Sequence, residues 1–499
     1  MTLDRIALRR DLLATLMPGF AGYGMPDWVP EAFTNGMRSV CIYGENVRDA
    51  EQLHALGAQL RAVYPQALIA IDEEGGEVTR LHYLEGSPYP GAAVLGRIDD
   101  TDYTELIGER VGHDILGAGF NLALGPIADV NSNPKNPVIG TRSFAAEPEL
   151  AGRHVAAWVR GLQRTGAIAC AKHFPGHGDT AQDSHLALPS VDAPIEVLEQ
   201  RELPPFRSAV LAEVSAVMTS HILLPQIDSV PATFSRKVLQ GLLRDELEFE
   251  GIIISDALDM AGASGETGIP EAAVRALIAG CDLLCLGTGS DPAQLRAIEE
   301  AVVAAVEHGR LTLDRLSEAA ERVRAVTAQP LPSRESAANA AGDPTLSELD
   351  RISKSFAGVE QSTAWLREHP AALVLRVDSE ANMAVGEAPW GPFAAEATPI
   401  TGTRWQASAF AKRERLDVGG LPHEARRSDG VIVIGRDLHR LPHGRAAIES
   451  LRSAGVPTLS IEMGWPDVTE HNGYADLSCY GSSRLVGAAL LRLIEGESE

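Results

Sequence analysis

From the N-terminus to about residue 325, short apolar runs alternate with charged, amphipathic stretches. The runs are SVCIYG (39–44), ALIAID (67–72), FNLALGPIADV (120–130), AIACAKH (167–173), SAVMTSH (215–221), GIIISD (251–256) and CDLLCLG (281–287). They are rich in small or β-branched residues and punctuated near their ends by Gly, Pro, Asp or His. Between them lie segments such as AGRHVAAWVRGLQRTG (151–166), where apolar positions recur at spacings of three and four, the period of a helix packed on one face. Continuous apolar strands alternating with helices predict parallel β-structure buried on both faces. Seven such strands are visible, and MPGFAG (17–22) is a degenerate eighth that would close a (β/α)8 barrel. A doubly wound open sheet is the alternative. Asp72, Lys172, His173, His221 and Asp256 favour the barrel, because they stand at the C-terminal ends of several different strands, where barrel enzymes assemble their sites. An open sheet would gather its polar strand ends at one crevice.

The period is lost over 331–345, LPSRESAANAAGDPT, which is read as a linker. Beyond it, ALVLRVD (372–378), GVIVIGRD (430–437), PTLSIEMG (457–464) and ADLSCYGSS (475–483) alternate with helical stretches. The expected architecture is α/β throughout: an N-terminal (β/α)8 TIM-like barrel over 1–330, then a smaller three-layer α/β sandwich domain over 346–499.

Composition narrows the function. The net charge of −25 disfavours nucleic acid and anionic membrane as partners, since both attract basic patches. Five cysteines, an odd and dispersed set lying mostly in apolar runs, fit reduced core thiols better than a disulfide framework. The first residues carry two aspartates and no uninterrupted apolar stretch, unlike a signal peptide. A cytoplasmic location is expected.

The chemistry concentrates in AKHFPGHGDTAQDSHLALP (171–189), with three histidines and two aspartates around glycines. His173, His177 and His185 with Asp179 or Asp183 are metal-ligating types, but Pro175 and Gly176 deny them a shared helical face, and no metal is expected. A set of structurally satisfied histidines is the plainer alternative. The third reading is a catalytic loop: Asp183 stands two residues before His185, and a carboxylate on one ring nitrogen fixes the tautomer and leaves the other nitrogen to carry a proton. No G-x-S-x-G nucleophile elbow is present. Asp256, closing GIIISD, is either a helix cap or, beside a proton-carrying pair, a carboxylate nucleophile.

These segments together resemble glycoside hydrolase family 3, in its β-N-acetylglucosaminidase branch. The resemblance rests on IDEEGG with Arg80, ADVN (128–131), NPVIGTRSF (136–144), KHFPGHGDT (172–180), Asp183-Ser184-His185, MTSH (218–221) and Ser255-Asp256, in the family's order over about 60–260. Past residue 345 it thins to the sheet pattern and Tyr480-Gly481-Ser482-Ser483. The resemblance implies Asp256 as nucleophile, His185 as acid/base, Asp183 as its orienting partner, and Asp72, Arg80, Arg142, Lys172 and His173 as residues gripping the sugar. It implies a retaining enzyme without cofactor that removes β-linked N-acetylglucosamine from cell-wall or chitin fragments. Glu73 and Glu77 depart from the family's usual Gln and Arg. Two rivals stand beside this reading: a phosphorylase in which inorganic phosphate replaces water, and a non-catalytic sugar-binding protein. The second domain is expected to complete the cleft or to form a homodimer.

Overall fold

A ring of eight parallel strands forms the first part of the computed structural model, which describes residues 4–180, 188–265, 267–328, 345–379, 384–399, 413–416, 421–466 and 474–495. The strands are β1 (Leu16–Met17), β2 (Ser39–Ile42), β3 (Leu68–Ile71), β4 (Leu122–Ala123), β5 (Ile168–Phe174), β6 (Ala216–Thr219), β7 (Ile252–Ile254) and β8 (Leu284–Cys285). Strands β2 to β7 pair in sequence order, and β1 pairs with β8. Two links close the ring. The Ile254–Leu283 bridge and the Ser255 N–H to Leu283 O bond join β7 to β8, and Cys41 N–H to Pro18 O joins β2 to the end of β1. The expected eighth strand near residue 17 is thus β1, only two residues long.

Alternate strand residues fill the interior. Met17, Cys41, Leu68, Ala70, Leu122, Cys170, Ala216, Met218, Ile252, Ile254 and Cys285 form one apolar core in which the small Ala and Cys side chains face bulkier ones. That alternation is how a barrel of this size packs its lumen. The helix Pro148–Arg164 shows why the outer layer forms: Pro148 pre-sets the first turn, and Val155, Trp158, Val159 and Leu162 are buried at helical spacing. All five cysteines are buried and free. No helix among the described residues is long and apolar enough to cross a membrane.

Contacts divide the chain into two units: Met1–Glu74, Thr101–Ile139 and Ala145–Gly342 in one, Gly75–Asp100, Gly140–Phe144 and Asp343–Glu499 in the other. Most of the expected linker, 331–344, lies outside the described residues. The second unit is built on a parallel sheet of β9 (Leu373–Val377), β10 (Arg413–Arg415), β11 (Val431–Gly435), β12 (Thr458–Glu462) and β13 (Leu477–Ser478), in the order β10-β9-β11-β12-β13. Its inner strands β9 and β11 carry apolar residues on both faces. Val374, Ile432, Ile434, Leu459 and Ile461 pack into one cluster with the helices Leu346–Ser353 and Arg484–Glu495, while Leu373, Leu375, Val431 and Val433 pack into another with Pro442–Ser453. This is the expected three-layer sandwich. The charged edge strand β10 was not expected.

Candidate active site

The C-terminal ends of the barrel strands carry the candidate residues, as parallel topology requires: every strand runs the same way, so every following loop opens at one mouth. Asp72 follows β3 directly, Lys172 and His173 lie in β5, and Asp256 stands two residues beyond β7. Lys172 Nζ lies 2.9 Å from Asp72 Oδ1 and 2.9 Å from Glu74 Oε1, with the lysine side chain only 4% exposed. A buried ammonium between two carboxylates is compensated, and it leaves Asp72, 18% exposed, aimed where a hydroxylated ligand can reach it. Glu74 was not expected at the site; its place in the IDEEGG run was its only signal.

Beside this group is a fully buried carboxylate. Asp129 Oδ2 lies 2.7 Å from His173 Nδ1, and Asp129 Oδ1 accepts the backbone N–H groups of His173 at 3.1 Å and His177 at 2.7 Å. Burial works against ionising Asp129, yet the charge and hydrogen bonding of His173, with help from His177, outweigh it and hold its pKa below the usual carboxylate value. The pair fixes the His173 ring as a carboxylate fixes a catalytic or ligating imidazole. Asp129 stands one residue before the end of the apolar run 120–130, inside the ADVN segment, and no role of its own was expected of it. His177 goes the other way: burial, then the neighbouring charge of His173, lower its pKa to about 4, so it is neutral at physiological pH.

The turn 173–180 is bound on three sides. Asn136 Nδ2 donates to the carbonyls of His177 at 2.8 Å and Gly178 at 3.0 Å, while its Oδ1 accepts from the N–H groups of Val138 and Ile139. Gly178 packs so closely on the backbone of Val130 that a Cβ has no room. Gly176, at φ +133°, rests on Glu202, where a Cβ would come within 2.7 Å of Oε2. Glu202 Oε1 accepts from Arg201 Nε at 2.6 Å, and Arg201 Nη2 reaches Asp179 Oδ2 at 2.7 Å. Burial raises the Glu202 pKa to about 7, only partly opposed by Arg201. The interior thiol of Cys170 senses the whole mouth: burial pushes its pKa up, Lys172 opposes, and Cys285, Asp72 and Asp256 add to the rise.

Asp256 is partly exposed, and its Oδ1 accepts the N–H of Ala257 at 2.8 Å. A strand-end carboxylate aimed by a backbone amide, at the same barrel mouth as an ammonium and a fixed imidazole, suits attack on a polyhydroxylated electrophile. Among the other expected residues, Asp183 and His185 fall in 181–187, outside the described residues. Arg80 and Arg142 belong to the second unit. Both are buried there, and Arg80 Nη2 donates to Ala384 O at 2.7 Å. Glu77, one of the two departures, also belongs to that unit: its Oε1 accepts Thr141 Oγ1–H at 3.0 Å and Ser482 N–H at 2.9 Å, and burial raises its pKa.

Residues 31–326 match the Glycosyl hydrolase family 3 N terminal domain. The β-hexosaminidase of Chromobacterium violaceum is 39% identical over 253 residues, covering 49% of this chain and 70% of that protein. The β-hexosaminidase of Pseudomonas aeruginosa is 35% identical over 264 residues, 52% of this chain and 78% of that one. A solved family 3 β-N-acetylglucosaminidase from a Paenibacillus species covers 97% of this chain and 95% of its own, at 28% identity and a TM-score of 0.79. The barrel whose mouth holds Asp72, Lys172, His173 and Asp256 is that of a glycoside hydrolase, and the chain belongs to glycosyl hydrolase family 3.

Proposed function

We propose that this protein is a retaining β-N-acetylglucosaminidase that releases terminal β-linked N-acetylglucosamine from cell-wall or chitin fragments in the cytoplasm. The observation that carries the reading is Asp256: a partly exposed carboxylate after β7, aimed by the Ala257 amide, in a chain 39% identical to a β-hexosaminidase. An Asp256 oxygen attacks the anomeric carbon as the bond to the leaving oxygen breaks, and His185, oriented by Asp183, delivers the proton that oxygen needs. The imidazole, now neutral, takes a proton from water, which attacks the same carbon and releases Asp256, so two inversions give net retention. Asp72, Lys172 and His173 hold the sugar's hydroxyl and amide groups. The buried free cysteines support a reducing compartment.

The test is turnover of 4-nitrophenyl β-N-acetylglucosaminide with and without inorganic phosphate, with identification of the product. Free N-acetylglucosamine in the β configuration at early times is expected under both conditions. N-acetylglucosamine 1-phosphate as the main product, formed faster than the free sugar in phosphate-free buffer, would replace water by phosphate in the second step. No turnover of any β-N-acetylglucosaminide by the folded protein would leave the sugar-binding reading.

A further inference from the structure

The stretch Met218-Thr219-Ser220-His221 has no part in the steps above, yet it ends in a fully buried histidine directly behind the candidate nucleophile. His221 follows β6, and both ring nitrogens are engaged: Nε2 lies 3.0 Å from the carbonyl of Ala257, and Nδ1 lies 2.9 Å from Thr233 Oγ1. A carbonyl only accepts, so the proton is on Nε2. The ring lies against Phe234 (centroids 6.4 Å apart, planes at 23°), whose ring in turn has the Arg275 guanidinium 4.2 Å from its centroid. A ring packed in this way, with no exposed surface, is not placed to exchange protons with a substrate.

We propose that His221 is a positioning residue for Asp256: its Nε2–H holds the Ala257 carbonyl and so fixes the turn whose first amide aims the nucleophile. The inference rests on the reading of Asp256 as nucleophile. The geometry leads from one residue to the other without a gap. The Ala257 N–H donates to Asp256 Oδ1 at 2.8 Å, and the carbonyl of the same residue takes both the His221 Nε2–H and the Met260 N–H, the latter at 3.2 Å. On the other side of Asp256, its own N–H points to Thr219 Oγ1 at 3.4 Å, and Thr219 is hydrogen-bonded to Thr233 at 2.8 Å, the hydroxyl that meets His221 Nδ1. Thr219 and His221 therefore grip the backbone on either side of the carboxylate through one shared hydroxyl. Rotation at Ala257 would swing the amide away from Oδ1 and turn the attacking oxygen off its line. Displacement of about 1 Å at a reacting atom is enough to cost on the order of 10²-fold in rate.

Three substitutions test this, assayed by kcat, KM and the affinity for N-acetylglucosamine, which a collapsed pocket would lose. His221→Ala is expected to lower kcat/KM about 10²-fold while sugar affinity stays at the wild-type value. In His221→Gln the side-chain amide N–H extends to the position of Nε2 and most of the activity returns. His221→Asn reaches only as far as Nδ1 and stays as impaired as Ala. Wild-type rates in His221→Ala would overturn the proposal, as would equal impairment of Gln and Asn, or a rate loss matched by loss of sugar binding. Should the Ala protein not fold, the Gln and Asn pair decides alone. The underlying reading is checked separately in the wild-type enzyme, with a fluorinated glycosyl fluoride that forms the covalent intermediate but hydrolyses slowly. Labelling of a residue other than Asp256 would remove the nucleophile assignment, whereas labelled Asp256 with an unimpaired His221→Ala would remove the positioning role alone.

Discussion

Both ends of the barrel set carboxylates against basic side chains, and the two ends use them in opposite ways. At the N-terminal end of β8, Asp282 is fully buried: Oδ2 accepts from Arg244 Nη2 at 2.6 Å and Ile253 N–H at 3.0 Å, and Oδ1 from Arg315 Nη2 at 2.7 Å and Arg322 Nη1 at 3.2 Å. At the other end, Lys172 is nearly as buried, but Asp72 and Asp256 keep exposed surface. One carboxylate surrounded by three guanidinium groups is saturated, and it joins Arg244, the strand end and the helix Leu313–Thr327 into one unit. Carboxylates with exposed surface remain available to a ligand. In a parallel barrel this asymmetry separates stability from chemistry along one axis.

The sharpest way to break the comparison is Asp256→Ala. It should remove turnover by several orders of magnitude, because the covalent path is deleted, while thermal unfolding stays at the wild-type temperature. Even a tenth of wild-type activity would refute the assignment. Asp282→Ala should do the reverse. Three arginines left without their partner should cost about 3–5 kcal/mol in denaturant unfolding, with kcat per folded molecule unchanged. A drop in kcat without loss of stability would mean that the two ends are not separable. Lys172→Met falls between them: kcat/KM should fall roughly 10²-fold as Asp72 and Glu74 repel one another and lose their positions. Its stability loss should be smaller than that of Asp282→Ala, since Asp72 has solvent to turn to; an equal loss would place Lys172 with the structural end.

The smallest effect is a pH dependence at Glu202. Its pKa is about 7 in the folded protein against an ordinary 4.5. Below pH 4.5 both states hold the proton, and Glu202 makes no difference to stability. Between about 4.5 and 7 the unfolded chain has lost the proton and the folded chain retains it, so stability falls as pH rises, by at most about 3 kcal/mol, and levels off above. Glu202→Gln keeps an oxygen for Arg201 and carries no charge. Its melting temperature should exceed the wild-type value at pH 8, with the gain vanishing near pH 4.5. A constant difference across that range would mean that Glu202 ionises normally.

The barrel was legible in the sequence because its strands are buried on both faces and are thus written largely as apolar runs. Even β1 showed, at two residues, because the ring needed an eighth member. Strand β10 did not: Arg413–Arg415 is an edge strand, and no apolar pattern marks it. Single candidate residues were legible wherever a charged group closed an apolar run, as with Asp72, Lys172 and Asp256. Their pairings were not. Asp72 and Lys172 are 100 positions apart, and no local pattern tells a lysine which carboxylate it will meet. Glu77 was visible only as a departure from a motif, whereas its work is to accept hydrogen bonds from residues 141 and 482, which only tertiary packing brings together.

That last pairing has a consequence for where the chain can be divided. Val94 is fully buried in a cluster whose other members lie between Leu349 and Leu491, and Glu77 is held by Ser482. A protein ended after the expected linker would keep residues 75–100 and lose the core that covers them, exposing Val94 and leaving Glu77 without its amide partner. Such a truncation should yield an aggregation-prone fragment. The C-terminal third produced alone would be equally incomplete, lacking an inner piece of its own core. The two units are therefore interlaced along the chain, and gene fusion or domain exchange in this protein would have to carry the segments at 75–100 and 140–144 along with the sandwich.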